Sequence, residues 1–329
     1  MKRLLRAGVI GLTTLWAVPA LASPPPNSPA GRVAAGEAVF PPWQQGKNNT
    51  AAQHGFEFTV PPVDVLTDFH GSPDHPALVL YIAGNDYFAI GETVRAFEKA
   101  YPRFHGVYFE TLPPGLLRRQ LAAGGRVTVG NMTWTVKPDV FMAGLRVEKA
   151  MVKQGHLVAP VVAYATNDLA IMIPKGNPGH VTGLKDLGRA DLPIAMPNPQ
   201  WEGVARQIKA SLAAAGGPAL VKAVYSEKVA SGMTVLTHIH HRQTPLWLMQ
   251  GRVDAGVTWT SEAVFQELAG HPIAHVTIPA AQNTRAIYAA AMVKGAAHQD
   301  AATAWLKFVA TPQALAILER YGFKPYPTK

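Results

Sequence analysis

The sequence predicts an α/β protein built as two lobes. Three observations predict it. Strand-like and helix-like segments alternate from Leu78 to the C-terminus, which is the pattern of βαβ units and parallel sheets. A length of 329 residues suits two cores better than one. A content of 48% apolar and 16% charged residues marks a folded chain.

The first segment stands apart. Lys2, Arg3 and Arg6 precede the apolar run AGVIGLTTLWAVPALA, which ends in Ala20-Leu21-Ala22 before Ser23. A basic start, a short apolar stretch and a small-x-small end describe a secretory signal peptide over 1–22. The run is short for a membrane span, which takes about 20 apolar residues. No later run is long enough either, so the mature chain is expected in the periplasm and not across the membrane.

Residues 23–76 are rich in proline (SPPPNSPAG, VFPPWQQGKNN, FTVPPVDVLTDFHGSPDHP), which removes backbone donors and disfavours regular structure. Phe40, Trp43, Phe56, Phe58 and Phe69 make this an arm lying on the body rather than a free linker.

From Leu78 the elements follow in order. LVLYIAG is a strand, and DYFAIGETVRAFEKAYP is a helix with Ile90, Val94, Phe97 and Tyr101 on one face. VYFETL is a strand, PGLLRRQLAAGG a helix between proline and glycine, and PDVFMAG a strand. RVTVGNMTWTV reads as a hairpin around Gly130-Asn131. AYATNDLAIMIPKGNP, LKDL, PIAMPNP, the helix WEGVARQIKASLAAAGG, DAGVTWTSEA and AHVTIPA follow. The strand TRAIYAAAMVKG and the helices AATAWLKFV and PQALAILERYG close the chain.

The net charge of +9 falls by three, to +6, without the signal segment. The remaining cations are scattered with no basic stripe, so nucleic acid is not an expected partner. The absence of cysteine excludes disulfides, thiol nucleophiles, iron–sulfur clusters and attached haem. No cofactor is expected. Neither G-x-S-x-G nor H-E-x-x-H occurs, and the chain is not expected to be an enzyme.

Four phrases in this order resemble a known family: LYIAGNDYFAIGETVRAFEKAYP, KPDVFMAG, AIMIPKGNPGHVTGLKDL and QGRVDAGVTWTSEA. Together they are similar to the periplasmic solute-binding proteins of ABC importers, in the class that takes molybdate, tungstate and sulfate. The resemblance implies the type II periplasmic-binding-protein fold. Each lobe is then a mixed, mostly parallel sheet flanked by helices, with a ligand cleft at the hinge. It implies lobe I over 77–164 and 280–329 and lobe II over 165–279. It further implies a monomer that delivers a small, anionic solute to an ABC permease and ATPase.

The class carries a serine after its first strand and a G-S-S-G turn after its second. Here those places read Gly84-Asn85-Asp86 and Thr111-Leu112-Pro113-Pro114-Gly115. An aspartate repels an oxyanion unless the ligand carries a proton or Asp86 turns away.

Candidate ligand-binding residues are those beyond strand ends and at helix starts, where backbone N–H groups and the helix dipole favour anions. Asn85 and Asp86 precede the first helix, and either can cap it. Thr111 ends a strand, and Gly115 lies in the turn after it. Trp201 and Glu202 open a helix; Trp201 can stack on a ligand, and Glu202 can simply complement the dipole. Thr258 and Thr260 share one side of a strand and Trp259 faces the other.

THIHHRQTPLWLMQG places His240, His241 and Arg242 before Thr244-Pro245, which read as an N-cap and first helical residue. These three side chains can cradle an anion, Arg242 with a fixed charge and a planar fork of donors. They can also be a polar loop. The alternative is a metal site from His238, His240 and Glu262, in an accessory protein whose arm docks a redox enzyme.

Overall fold

Alternation of strand and helix builds two sheets. The computed structural model describes residues 68–327, apart from 113, 130–131, 201 and 238–240. The segment 1–22 and the arm up to residue 67 lie outside the described residues, as do Trp201, His238 and His240.

The first sheet has seven strands: β1 (Asp68–His70), β2 (Leu78–Ala83), β3 (Val107–Leu112), β6 (Val140–Gly144), β7 (Leu157–Asn167), β13 (Ala286–Val293) and β14 (Lys324–Pro325). Their spatial order is β1-β3-β2-β6-β13-β7-β14. β2 pairs parallel with β3 and β6, and β13 runs antiparallel between β6 and β7. β2 and β3 are buried along their whole length, as parallel strands covered on both faces must be. Between β3 and β6, β4 (Arg126–Val129) and β5 (Met132–Thr135) form the expected hairpin, its turn outside the described residues.

Helices cover both faces of this sheet. α1 (Tyr87–Ala100), α7 (Gln299–Phe308) and α8 (Pro312–Arg320) cover one, with Phe97 meeting Trp305 edge to face at 5.2 Å. α2 (Pro114–Ala122) and α3 (Leu145–Lys153) pack on the other through Leu117 and Met151.

The second sheet has five strands: β8 (Leu169–Pro174), β9 (Ile194–Met196), β10 (Thr234–Leu236), β11 (Ala255–Trp259) and β12 (Ile273–Thr277). Their order is β10-β9-β11-β8-β12, with β9 parallel to both neighbours and β8 antiparallel to both of its own. α4 (Val204–Lys222) packs on one face through Ile208 and Leu212. α5 (Gln243–Met249) and α6 (Thr260–Leu268) lie on the other, through Trp247, Leu248 and Ala263.

The chain leaves the first sheet between β7 and β8 and returns between β12 and β13. The two crossings are tied together. Asn283 accepts from the Leu169 amide at 3.0 Å and donates to its carbonyl at 2.8 Å. Asp168 holds Arg285 at 2.8 Å and also Lys324. Burial acts to raise the Asp168 carboxyl, but the bonds from Arg285 and Lys324 outweigh it and lower it.

Several local expectations need correction. The proline content of the arm disfavours regular structure, yet Asp68–His70 form an edge strand on β3, where Phe69 packs on Trp134 at 4.8 Å. Pairing with an exposed strand edge supplies the backbone bonds that a proline-rich segment cannot make internally. The helix expected from Trp201 starts at Val204 and continues past Gly216 with a kink, because Gly217 takes φ +69° and Pro218 starts a new turn. Thr244 and Pro245 lie inside α5, whose cap position is Arg242. Thr260 belongs to α6, not to the strand, so it does not share a strand face with Thr258.

Gly256 in β11 has a specific reason to be glycine. A Cβ there would stand 2.4 Å from Thr244 Cγ2 and 2.9 Å from the Ala195 carbonyl oxygen. Its absence lets α5 seat directly on the sheet, and thereby places the residues just before α5.

Candidate functional site

The site forms where β2, β7 and β13 of the first sheet meet the turns of the second. Gly84–Asp86 make one 3₁₀ turn between β2 and α1. Neither side chain caps α1; the Asp86 cap position makes no side-chain cap bond. Asp86 instead accepts from the Tyr164 hydroxyl at 2.9 Å. Burial, only partly offset by that bond, raises the Asp86 carboxyl to about 7. Asn85 donates through Nδ2 to the Tyr288 hydroxyl at 2.9 Å, which leaves its Oδ1 facing the second sheet.

Glu202 lies just before the helix start and not in its first turn, so complementing the dipole does not account for it. Its Oε1 accepts from the Asn198 amide at 3.1 Å and from the Thr237 hydroxyl. Its Oε2 accepts from the His241 amide at 2.6 Å and meets His241 Nδ1 at 2.8 Å. One carboxylate therefore gathers the turn after β9, the end of β10 and the loop before α5. The reason lies in satisfaction: a buried carboxylate is tolerated only when its oxygens are bonded.

His241 continues the chain of contacts. Its Nε2 meets Glu262 Oε1 at 2.9 Å and Asn85 Oδ1 at 3.2 Å. The imidazole is 4% exposed and Glu262 is 1% exposed. Burial pulls the imidazolium down, but the charge of Glu262 and hydrogen bonds with both glutamates outweigh it and raise His241 to about 9. It is therefore a cation at neutral pH, donating from both nitrogens.

Arg242 completes the bridge between sheets. It is 2% exposed, donates to the Gly84 carbonyl and stands 4.4 Å over the Tyr87 ring. A desolvated cation–π contact of this kind is worth about 2 kcal/mol. Ser261, beside Glu262, accepts from Asn167 Nδ2 at 2.8 Å.

The structure thus brings together Asn85, Asp86, Glu202, His241, Arg242 and Glu262. It does not gather the rest in the same way. Thr111 is buried in β3 between Asp68 and Ile82. Gly115 is exposed on α2 with open space around it. Thr258 is buried and donates to the Trp259 carbonyl at 3.3 Å, Trp259 sits in the core under α4, and Thr260 donates to the Asp168 carbonyl at 3.0 Å. Glu262, expected as a metal ligand with His238 and His240, instead pairs with His241. Among the described residues no group of three His, Asp or Glu side chains could hold a metal ion.

Sequence reasoning missed Tyr164, Asn167, Tyr288 and Ser261. Asn167 ends β7 and Ser261 follows the end of β11, so a rule applied to every strand end would have found both. The two tyrosines lie inside alanine-rich strands and give no such signal.

No curated protein matches the chain in sequence. Solved structures match it in fold. The sulfate-binding protein of Mycobacterium tuberculosis H37Rv is 23% identical over 76% of this chain and 87% of that one, with a TM-score of 0.62. The periplasmic molybdate-binding protein of Azotobacter vinelandii is 21% identical over 76% of this chain and 100% of its own, with a TM-score of 0.60. The substrate-binding domain of a putative molybdenum ABC transporter from Clostridium difficile is 17% identical over 76% and 99%, with a TM-score of 0.58. These likenesses establish the two-lobe type II binding-protein fold. The model of the bacterial extracellular solute-binding proteins matches residues 78–324, and the chain belongs to that family.

Proposed function

We propose that the protein captures a small anionic solute outside the inner membrane and delivers it to an ABC permease and its ATPase. The exported chain is a monomer, cut after Ala22. Its lobes, 77–164 with 280–329 and 165–279, close on the solute at the crevice, and no chemical step is asked of it. The observation that carries this reading is the meeting of Asn85, Asp86, Arg242 and His241, from turns of both sheets, at buried strand ends. Closure there removes a solute from water, where charge-assisted bonds count for more.

Arg242 and His241 supply the positive charge. Asp86, the residue that should repel an anion, has its carboxyl raised by burial to about 7, so it holds a proton for part of the time at neutral pH. The accessory-protein reading has less support. It needs the arm and the ligands His238 and His240, which lie outside the described residues but for the end of the arm.

Native mass spectrometry of protein purified from periplasm tests the reading. A small acid retained by wild type and lost in Arg242→Ala supports it. A retained cation, or a solute that Arg242→Ala keeps equally well, overturns it.

A further inference from the structure

Three oxygen acceptors at the crevice have no hydrogen-bond partner although their residues are at most 1% exposed: Asp86 Oδ2, Asn167 Oδ1 and Glu262 Oε2. They belong to one neighbourhood: Asp86 adjoins Asn85, whose side chain bonds both Tyr288 and the His241 ring that meets Glu262, and Asn167 donates to Ser261 beside Glu262. Burial first, then the charge of Asp86 and that of Glu262, hold the Tyr288 hydroxyl well above its usual range, and Asn85 donates to it. Of the neighbouring oxygens, Asp86 Oδ1 accepts from Tyr164, Ser261 Oγ accepts from Asn167 Nδ2, and Glu262 Oε1 lies 2.9 Å from His241 Nε2 as an ion pair. Orphaned acceptors this deeply buried are rare in folded proteins, since each forgoes its bonds to water. In a crevice that admits a solute, they mark where the solute's own donors go.

We propose that the solute is a small acid that carries an O–H or N–H donor beside its anionic group, such as a protonated oxyanion, a hydroxy acid or an amino acid. Fully ionised sulfate and molybdate are excluded. They present only acceptors, and would leave Asn167 Oδ1 and Glu262 Oε2 without a bond. A site built to bond a substrate hydroxyl or amine strongly rejects the analogue that lacks it, because its buried groups are then left unpaired. The proposal rests on the anion-capture reading and narrows its substrate class.

The test uses matched pairs that differ in a donor: sulfate against phosphate, and propionate against lactate. Affinities are measured by calorimetry at pH 7 on the mature chain, with molybdate as a further donor-free probe. The donor-bearing member of at least one pair is expected to bind about ten- to a hundredfold more tightly. In Glu262→Gln and in Asp86→Asn, an acceptor oxygen is exchanged for an amide donor, and the preference should shrink to roughly threefold or reverse. Sulfate or propionate binding as tightly as its partner in every pair that binds, or molybdate binding as tightly as phosphate, overturns the proposal and leaves anion capture standing. Binding of no member of any pair overturns both together. If a variant does not give a wild-type melting transition, the wild-type pairs decide alone.

Discussion

Asn85 and His241 meet at 3.2 Å although 156 positions separate them in the chain. Asn85 is held by Tyr288 of the first sheet, and His241 by Glu202 and Glu262 of the second. The contact therefore joins two prepositioned halves, and both its partners owe their orientation to residues other than each other.

Removing the imidazolium should be costly. His241→Ala leaves Glu202 and Glu262 buried without the cation that stands between them, and breaking a buried pair in this way costs about 3–5 kcal/mol. Urea unfolding at pH 7 should show a loss of that size. A loss below about 1 kcal/mol, the range of exposed pairs, would show that the cluster carries little net energy.

The same residue predicts a pH dependence with a definite sign. His241 is raised from an ordinary 6.5 to about 9 in the fold. A base raised on folding contributes stability that is fully present below the unfolded value and is lost as pH rises through the folded one. The stability difference between wild type and His241→Gln should therefore be largest near pH 6 and shrink by on the order of 3 kcal/mol by pH 10. Comparing variant with wild type isolates this group from Lys228, which burial lowers to about 8 and which acts in the opposite direction. A difference constant from pH 6 to 10 would contradict the assignment of a charged imidazole.

Gly256→Ala probes how α5 is seated. The added methyl meets Thr244 and the Ala195 carbonyl at less than contact distance, and the backbone partner cannot swing aside. Overpacking of this kind costs about 1–3 kcal/mol. Because Thr244 follows Arg242 so closely, solute affinity should fall along with the melting temperature. Loss of stability with unchanged affinity would detach α5 from the site.

Export is tested by N-terminal sequencing of periplasmic protein, which should begin at Ser23. An intact Met1 on such material would overturn the signal-peptide assignment.

The sheets are legible because β2, β3, β6 and β8 are short apolar runs between glycine, proline and helical periods, and buried strands have no other way to be written. The site is legible only where a strand or helix end announces it. Asn85, Asp86 and Arg242 stand at such ends. Glu202 is visible as a position, but its role depends on His241, 39 residues away, and no local pattern encodes that pairing. Tyr164 and Tyr288 read as ordinary strand residues, since a tyrosine inside a strand is more simply explained by packing. Gly216-Gly217 suggests a helix end; the chain bends there and goes on, because packing of Leu220 and Val224 on the second core retains the following turns.

Closure of the two lobes on a solute at the Asn85–His241 crevice is read by small-angle scattering. The measurement compares the mature protein stripped of solute with the same protein saturated with the acid recovered by native mass spectrometry. The radius of gyration should be smaller with solute, and unchanged for Arg242→Ala at the same concentration. Equal radii for the stripped and saturated wild-type protein would contradict it.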